Sequence, residues 1–257
     1  MVVSCKPVPL TAPLPRVSAS AENDVSSHLK VHLLNGSVTR ASSGFGRASD
    51  VMFAEEGASI VVADITEKPL SKGFEDDLEH STPDLIRNKG GQATFVKCDV
   101  TKAHEVDIAI LAAVKAFGRL GVMLNNAGIY RGGKLMDQFT EADLDVTYNV
   151  NVKGMFFGVH VTINLVSTVG LQGYPSQSVY NISKGAQANL TRCAAIESGR
   201  EGIRLMRTLA ESVPLKRWGE ESDVANLALY LASDESSYLH GDLIGMDGGE
   251  TLCRSSF

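Results

Sequence analysis

The chain starts without a periodic pattern and acquires one near residue 30. From there, apolar runs of strand length alternate with stretches whose apolar residues recur three and four positions apart, the marks of β-strand and amphipathic α-helix. KVHLL (30–34) reads as the first strand, and GRASDVMFAEEG (46–57) as a helix ended by Gly57. ASIVVADI (58–65) is apolar almost throughout, as a strand covered on both faces should be. EDDLEHSTPDLIRNKGG (75–91) is helical in part, broken at Pro83 and stopped by Gly90 and Gly91. ATFVKCDV (93–100) is a strand, AHEVDIAILAAVKAFG (103–118) a helix, and LGVMLNNAG (120–128) a strand with its exit turn. A long helix capped by Thr140 covers 140–161, a fifth strand INLVSTVG covers 163–170, and a second long helix covers 176–199. DVANLALYLASDE (223–235) closes the helical set, and DLIGMDGG (242–249) reads as a last strand.

Strands that alternate with helices predict a parallel sheet clothed on both sides. The expected fold class is therefore α/β: a three-layer, Rossmann-type, doubly wound parallel sheet forming a single domain over residues 29–257. Residues 1–28 stand apart. They are rich in Ser, Pro, Ala and Val, and KPVPLTAPLPR excludes helix. A disordered tail is expected there, with an organelle-targeting segment as the alternative.

Composition narrows the function classes. The 257 residues are 44% hydrophobic and 21% charged, with a net charge of −6 and no long basic run, which argues against nucleic acid as a partner. No apolar run approaches the ~20 residues that cross a bilayer, so no membrane association is expected. Cys5, Cys98, Cys193 and Cys253 are scattered without a CxxC pair, and His28 and His32 share no helical face, so neither a disulfide framework nor a metal site is expected. A reducing, cytoplasmic location fits this cysteine usage.

In doubly wound sheets, ligands bind at the carboxyl ends of the strands, so the turns there are the candidate site. After the first strand come Gly36 and then Ser43, Gly44, Phe45 and Gly46, opening a helix. Glycines let a backbone approach a diphosphate, and a helix N-terminus offers amide donors and partial positive charge. Asp64 ends the second strand, where a carboxylate can accept from ribose hydroxyls and repel a 2′-phosphate; a helix N-cap is the competing reading. Asp99, followed by Val100, carries the same two readings. Asn126, Ala127 and Gly128 form a turn of small residues after the fourth strand. Tyr180 and Lys184 stand four apart on one helical face. A phenol titrates near ~10, and a neighbouring ammonium favours the phenolate, which suits it to proton transfer. A surface Tyr–Lys pair is the bland alternative. Ser167 lies at the end of the fifth strand, in front of that helix.

Taken together, ASSGFGRA, VVADI, CDVT, NNAG, NVNVKG, LVSTVG, YNISKGA and the terminal DGG resemble the short-chain dehydrogenase/reductase family, over about residues 30–249. The resemblance implies a nicotinamide cofactor and a Ser-Tyr-Lys-Asn site. Carried over, Tyr180 is the general acid/base, Lys184 lowers its pKa and holds the nicotinamide ribose, Ser167 positions the substrate oxygen, and Asn151 holds a water that relays protons. The cofactor-side residues become Gly36, Ser43, Gly44, Phe45, Gly46, Asp64, Asp99, Val100, Asn126, Ala127 and Gly128, with Tyr180 and Lys184. The partner implied is a small, fairly apolar secondary alcohol or ketone, and a homodimer or homotetramer through the two long helices. Asp64 points to NAD over NADP.

Three stretches depart from the family pattern. In VTRASSGFG the family's first glycine falls on Arg40, which makes GSVT a poor strand; taking KVHLL as the strand instead puts Gly36 first and lengthens the loop. The second reading is expected, because Val31, Leu33 and Leu34 supply an apolar strand. Only a few residues separate VHVTI from the Ser-bearing strand, so the helix should unwind early. After GIRL the family's next strand and its Pro-Gly turn look deleted. A catalytically impaired relative acting as an interaction partner is thus the alternative to an active enzyme.

Overall fold

The computed structural model describes residues 35–71, 77–159, 162–198, 205–208, 217, 219–237, 239 and 244–248. Six parallel strands form one sheet in the order β3-β2-β1-β4-β5-β6, the doubly wound arrangement expected. They are β1 Asn35–Thr39, β2 Ser59–Asp64, β3 Ala93–Lys97, β4 Val122–Asn125, β5 Thr162–Leu165 and β6 Leu205–Thr208. The helices are α1 Gly44–Glu55, α2 Thr82–Asn88, α3 Ala103–Phe117, α4 Glu141–Thr147, α5 Gly154–Phe157, α6 Ser178–Ser198 and α7 Glu221–Ala232. α1 packs on α2 and α7 over one face of the sheet, while α3, α4–α5 and α6 cover the other.

The two-residue alternation of strand side chains decides which core each residue joins. Val38, Ile60, Val62, Leu124 and Ile163 point to one face and pack with Phe53 of α1 and Ala228 and Leu229 of α7. Ala63 and Met123 point to the other and pack with Val106 and Ala109 of α3. Residues 60–64 of β2 are buried without a break, so its sequence pattern and its central place agree.

The first strand corrects the sequence reading. Segment 30–34 lies outside the described residues, and the strand that enters the sheet here is NGSVT, residues 35–39. Gly36 is inside that strand, paired with Ile60 and Val122, and not at the turn assigned to it. The apolar criterion undervalued this segment because small polar residues also suit a doubly covered strand: Ser37 and Thr39 are buried at 0% and 2% exposure. The turn after β1 therefore holds three residues between Arg40 and Gly44, with Arg40 in the first glycine's place and in the left-handed conformation, φ 54°.

Other expectations shift as well. Pro83 opens α2 instead of breaking it: Ser81 caps the helix, and a proline in the first turn lacks only an N–H that had no intrahelical partner. The long helix after Thr140 has the expected cap, since the Thr140 hydroxyl accepts from Asp143 N at 3.2 Å and the Asp143 carboxylate accepts from Thr140 N at 3.1 Å. It passes through a π-helical turn, Tyr148–Lys153, and ends at Phe157, which is the early unwinding expected. A sixth strand follows GIRL after all, β6 pairing with β5 from Thr162↔Leu205 to Leu165↔Thr208. The missing Pro-Gly turn and the tail 1–28 fall outside the described residues. So do Asp242, Leu243 and Gly249 of the expected last strand, and Ile244, Gly245 and Met246 show no strand structure.

Candidate active site

The strand order reverses between β1 and β4, and the candidate residues gather at the carboxyl edge around that switch point. The exits of the two strands are stitched together. The Thr39 hydroxyl accepts from Asn126 N at 3.1 Å and Ala127 N at 3.0 Å. The Asn126 amide donates to the carbonyls of Thr39 and Arg40 at 3.1 and 3.0 Å. Asn125 turns inward instead, donating to Asn164 Oδ1 and the Gly158 carbonyl. Of the two adjacent asparagines, one locks the turn and the other ties β4 to β5.

The glycine turn depends on close approach. A Cβ at Gly46 would lie 2.6 Å from Asn126 Nδ2 and would also strike the Arg40 carbonyl. A Cβ at Gly36 would meet only ordinary contacts, 3.4 Å from Ile60 and 3.6 Å from Val122. Gly46→Ala is therefore expected to lower stability by ~1–3 kcal/mol through overpacking, whereas Gly36→Ala stays within about 1 kcal/mol. Paired urea unfolding curves check this, and equal losses would contradict the assignment of Gly46 to the turn. Ser43 occupies the α1 N-cap position but does not cap the helix with its side chain; its hydroxyl accepts from Leu70 N at 2.7 Å. Phe45 is 40% exposed beside it.

Asp64, at the end of β2, accepts from Ser42 N at 3.0 Å and Ile65 N at 2.7 Å. No helix begins in residues 65–71 directly after it, so it holds the glycine turn and caps no described helix. Asp99 accepts from the Thr101 N–H and hydroxyl at 3.0 and 2.7 Å, a local turn leading into α3. Val100 is buried against Gly154, where a Cβ would come within 2.7 Å of it. Between these carboxylates, burial pushes the Cys98 thiol up to about 12, with Glu105, Asp99 and Asp64 adding to the effect, so Cys98 is a packing residue and no nucleophile.

On the other side of the crevice, the first turns of α6 carry Tyr180 and Lys184. The Lys184 ammonium is buried, lies 5.5 Å from the Tyr180 ring centroid and donates to the Leu165 carbonyl at 3.5 Å. Ser167 stands at the head of the short turn Thr168–Gly170. A Cβ at Gly170 would fall 2.7 Å from the Lys184 carbonyl carbon, so that glycine lets the Ser167 turn rest on α6. Asn151 sits in the π-helical turn, fully buried, with its side chain engaged: Oδ1 accepts from Ile129 N at 2.8 Å, and Nδ2 donates to Ile129 O and Ser183 Oγ, each at 3.0 Å. A Cβ at Gly128 would be 3.5 Å from both Asn151 Oδ1 and Lys184 Nζ. Gly128, Asn151 and Lys184 thus converge.

Two neighbours were not singled out from the sequence. The Tyr130 ring stands edge-on to the Tyr180 ring, centroids 5.1 Å apart, and is 59% exposed. Its only signal was an aromatic residue directly after the NNAG turn. Gln187 is buried and donates to the Asn151 carbonyl at 2.6 Å, supporting the π-helical turn from α6. In the sequence it is one polar residue among alanines. No cluster of metal-ligating side chains occurs among the described residues.

A doubly wound sheet with these side chains at its switch point is the architecture of a dinucleotide-type oxidoreductase fold. Residues 37–212 match the family described as short chain dehydrogenase, and residues 204–251 match one described as enoyl-(acyl carrier protein) reductase. An uncharacterized oxidoreductase of Thermotoga maritima is 34% identical over 83% of this chain and 96% of its own. The 3-oxoacyl-(acyl-carrier-protein) reductase FabG of the same organism is 32% identical over 82% and 95%. The crystal structure of a short-chain type dehydrogenase/reductase from Mycobacterium marinum superposes with a TM-score of 0.78 at 28% identity, covering 86% of this chain and 97% of that one. The chain belongs to the short-chain dehydrogenase/reductase family, a family of oxidoreductases.

Proposed function

We propose that the protein is an NAD-dependent oxidoreductase that interconverts a secondary alcohol and a ketone of a small, fairly apolar molecule. The observation that carries this reading is the buried Lys184 ammonium beside the Tyr180 ring, with Gly128 and Asn151 closing around it. The first turn of α1 fits a diphosphate: it opens on glycines at the switch point, and the Ser43 side chain does not cap it. When bound, the nicotinamide supplies the hydride acceptor or donor. The rest is the work of the chain's own residues. Tyr180 exchanges a proton with the substrate oxygen, and Lys184 favours the phenolate by its charge. Ser167 orients the substrate oxygen. Asn151, through its two bonds to Ile129, fixes the strand exit against Lys184, and a water near it is the proton relay. Gly44, Phe45, Gly46, Ser43, Asn126, Ala127 and Gly128 line the dinucleotide side, with Asp99 and Val100 at its rim. Asp64, already turned toward the glycine loop, disfavours a 2′-phosphate.

Fluorescence titration tests this directly. NADH should saturate with a Kd below the millimolar range and more tightly than NADPH. The reverse order would overturn the role of Asp64, and binding of neither would overturn the enzyme reading. The absence of both would favour the second reading, a non-catalytic relative that acts through partners; that reading draws on the occupation of the first-glycine position by Arg40.

A cytoplasmic homodimer or homotetramer accompanies the proposal. Leu144 of α4, Phe156 of α5 and Ile182 of α6 are exposed apolar side chains that an interface through these helices would cover. No described helix is long and apolar enough to cross a membrane.

A further inference from the structure

Arg40 stands where the chain leaves β1, in the left-handed region that favours glycine, φ 54°. Its carbonyl oxygen accepts from Asn126 Nδ2 at 3.0 Å and lies against Gly46, so the peptide cannot escape the strain by rotating. A glycine would fill this position without strain. The feature that arginine adds is the guanidinium. It is exposed, and Nη1 donates to the carbonyl oxygen of Gly128 beyond the end of β4. The side chain thereby spans the crevice between the β1 and β4 exits, with its far end at the glycine that also borders Lys184 and Asn151.

Two nearby basic groups, Arg47 and Lys184, are committed elsewhere. The Arg47 guanidinium is buried and donates to the carbonyls of His80 at 3.0 Å and Asp77 at 2.9 Å. The Lys184 ammonium is buried beside Tyr180 and the Leu165 carbonyl. Among the described residues, Arg40 instead spends a planar fork of five donors on a single neutral carbonyl. A diphosphate entering the crevice would offer that fork charged acceptors in a bidentate arrangement, which bind a guanidinium more strongly than a neutral oxygen does.

We propose that Arg40 is an exchangeable latch. In the free protein it closes the crevice onto the Gly128 carbonyl; on dinucleotide binding it lets that carbonyl go and takes the diphosphate. A side-chain cation then does part of what the backbone of a glycine turn does alone, and the strained φ is the condition that aims the side chain across the crevice. The inference rests on the dinucleotide reading above.

The test compares wild type, Arg40→Gly and Arg40→Lys, using NADH, ADP-ribose and adenosine as probes in calorimetric or fluorescence titrations at two salt concentrations. Arg40→Gly should weaken NADH and ADP-ribose by about tenfold or more, leave adenosine unchanged, and make the remaining binding less sensitive to salt. Arg40→Lys should fall between, because it keeps the charge without the fork. Thermal unfolding keeps folding separate from binding: Arg40→Gly relieves the strained position and should melt no lower than wild type. Equal or tighter binding of NADH and ADP-ribose by Arg40→Gly overturns the latch while leaving the dinucleotide reading intact. Failure of wild type itself to bind either probe overturns both.

Discussion

Tyr180→Phe is expected to lower kcat by ~10² to 10⁴, the range that a positioned general acid/base contributes, while the NADH Kd stays within about twofold of wild type. The substitution removes one oxygen and keeps the ring. That ring still stands edge-on to Tyr130 at 5.1 Å and still lies 5.5 Å from the Lys184 ammonium, so packing on α6 has no reason to change. Steady-state kinetics with any alcohol or ketone that wild type turns over, together with an NADH titration, give the two numbers. Turnover retained within tenfold would remove Tyr180 from the chemistry. Loss of NADH binding in step with turnover would make it a structural residue. Neither result depends on knowing the physiological substrate.

Asp50→Ala is expected to stabilise the protein by about 2 kcal/mol or more at neutral pH, since burying an unpaired polar group carries a penalty of that order. Asp50 is fully buried in α1, and neither carboxylate oxygen has a hydrogen-bond partner among the described residues. Burial pushes its pKa well above the usual carboxylate range. The sign follows from linkage. A carboxyl whose pKa is raised by folding is most compatible with the native state when protonated, at pH below its unfolded value, and it costs increasing stability as pH climbs toward the folded value. The gain from Asp50→Ala should therefore be larger at pH 8 than at pH 4, and urea unfolding at the two pH values measures the difference. A loss of stability in the alanine variant, or a gain independent of pH, would mean that the carboxylate has a partner in the folded protein. Nothing in the proposed chemistry uses Asp50, so the variant also offers a more stable background for the binding experiments.

The sequence was most legible where one local rule sufficed. The run Ile60–Asp64 is buried from end to end, as its apolar pattern demanded. Thr140 and Asp143 cap their helix reciprocally because a hydroxyl and a carboxylate three residues apart can do so without help from the rest of the fold. Tyr180 and Lys184 share a face because the helical repeat puts them there. Legibility failed where two local patterns competed. Hydrophobicity favours KVHLL, which lies outside the described residues, and places Gly36 in the turn, yet NGSVT pairs with both β2 and β4 and carries Gly36 inside the strand. That pairing depends on which residues the neighbouring strands meet, and no property of the segment alone contains it. The apparent deletion after GIRL misled for the same reason, since Leu205–Thr208 becomes a strand by pairing with β5.

By itself, the sequence determined the alternation of strands and helices, the α/β class, and the placing of Tyr180 and Lys184 on one face of α6. These follow from periodicity and from fixed spacings within single elements. The tertiary structure alone decided that Arg40 takes a glycine's place with its side chain across the crevice, that Asn125 and Asn126 divide into a buried tie and a turn lock, and that Gln187 and Tyr130 stand beside the site. Each of these rests on contacts between residues far apart in the chain, and such contacts exist only once the sheet has fixed the register of its strands.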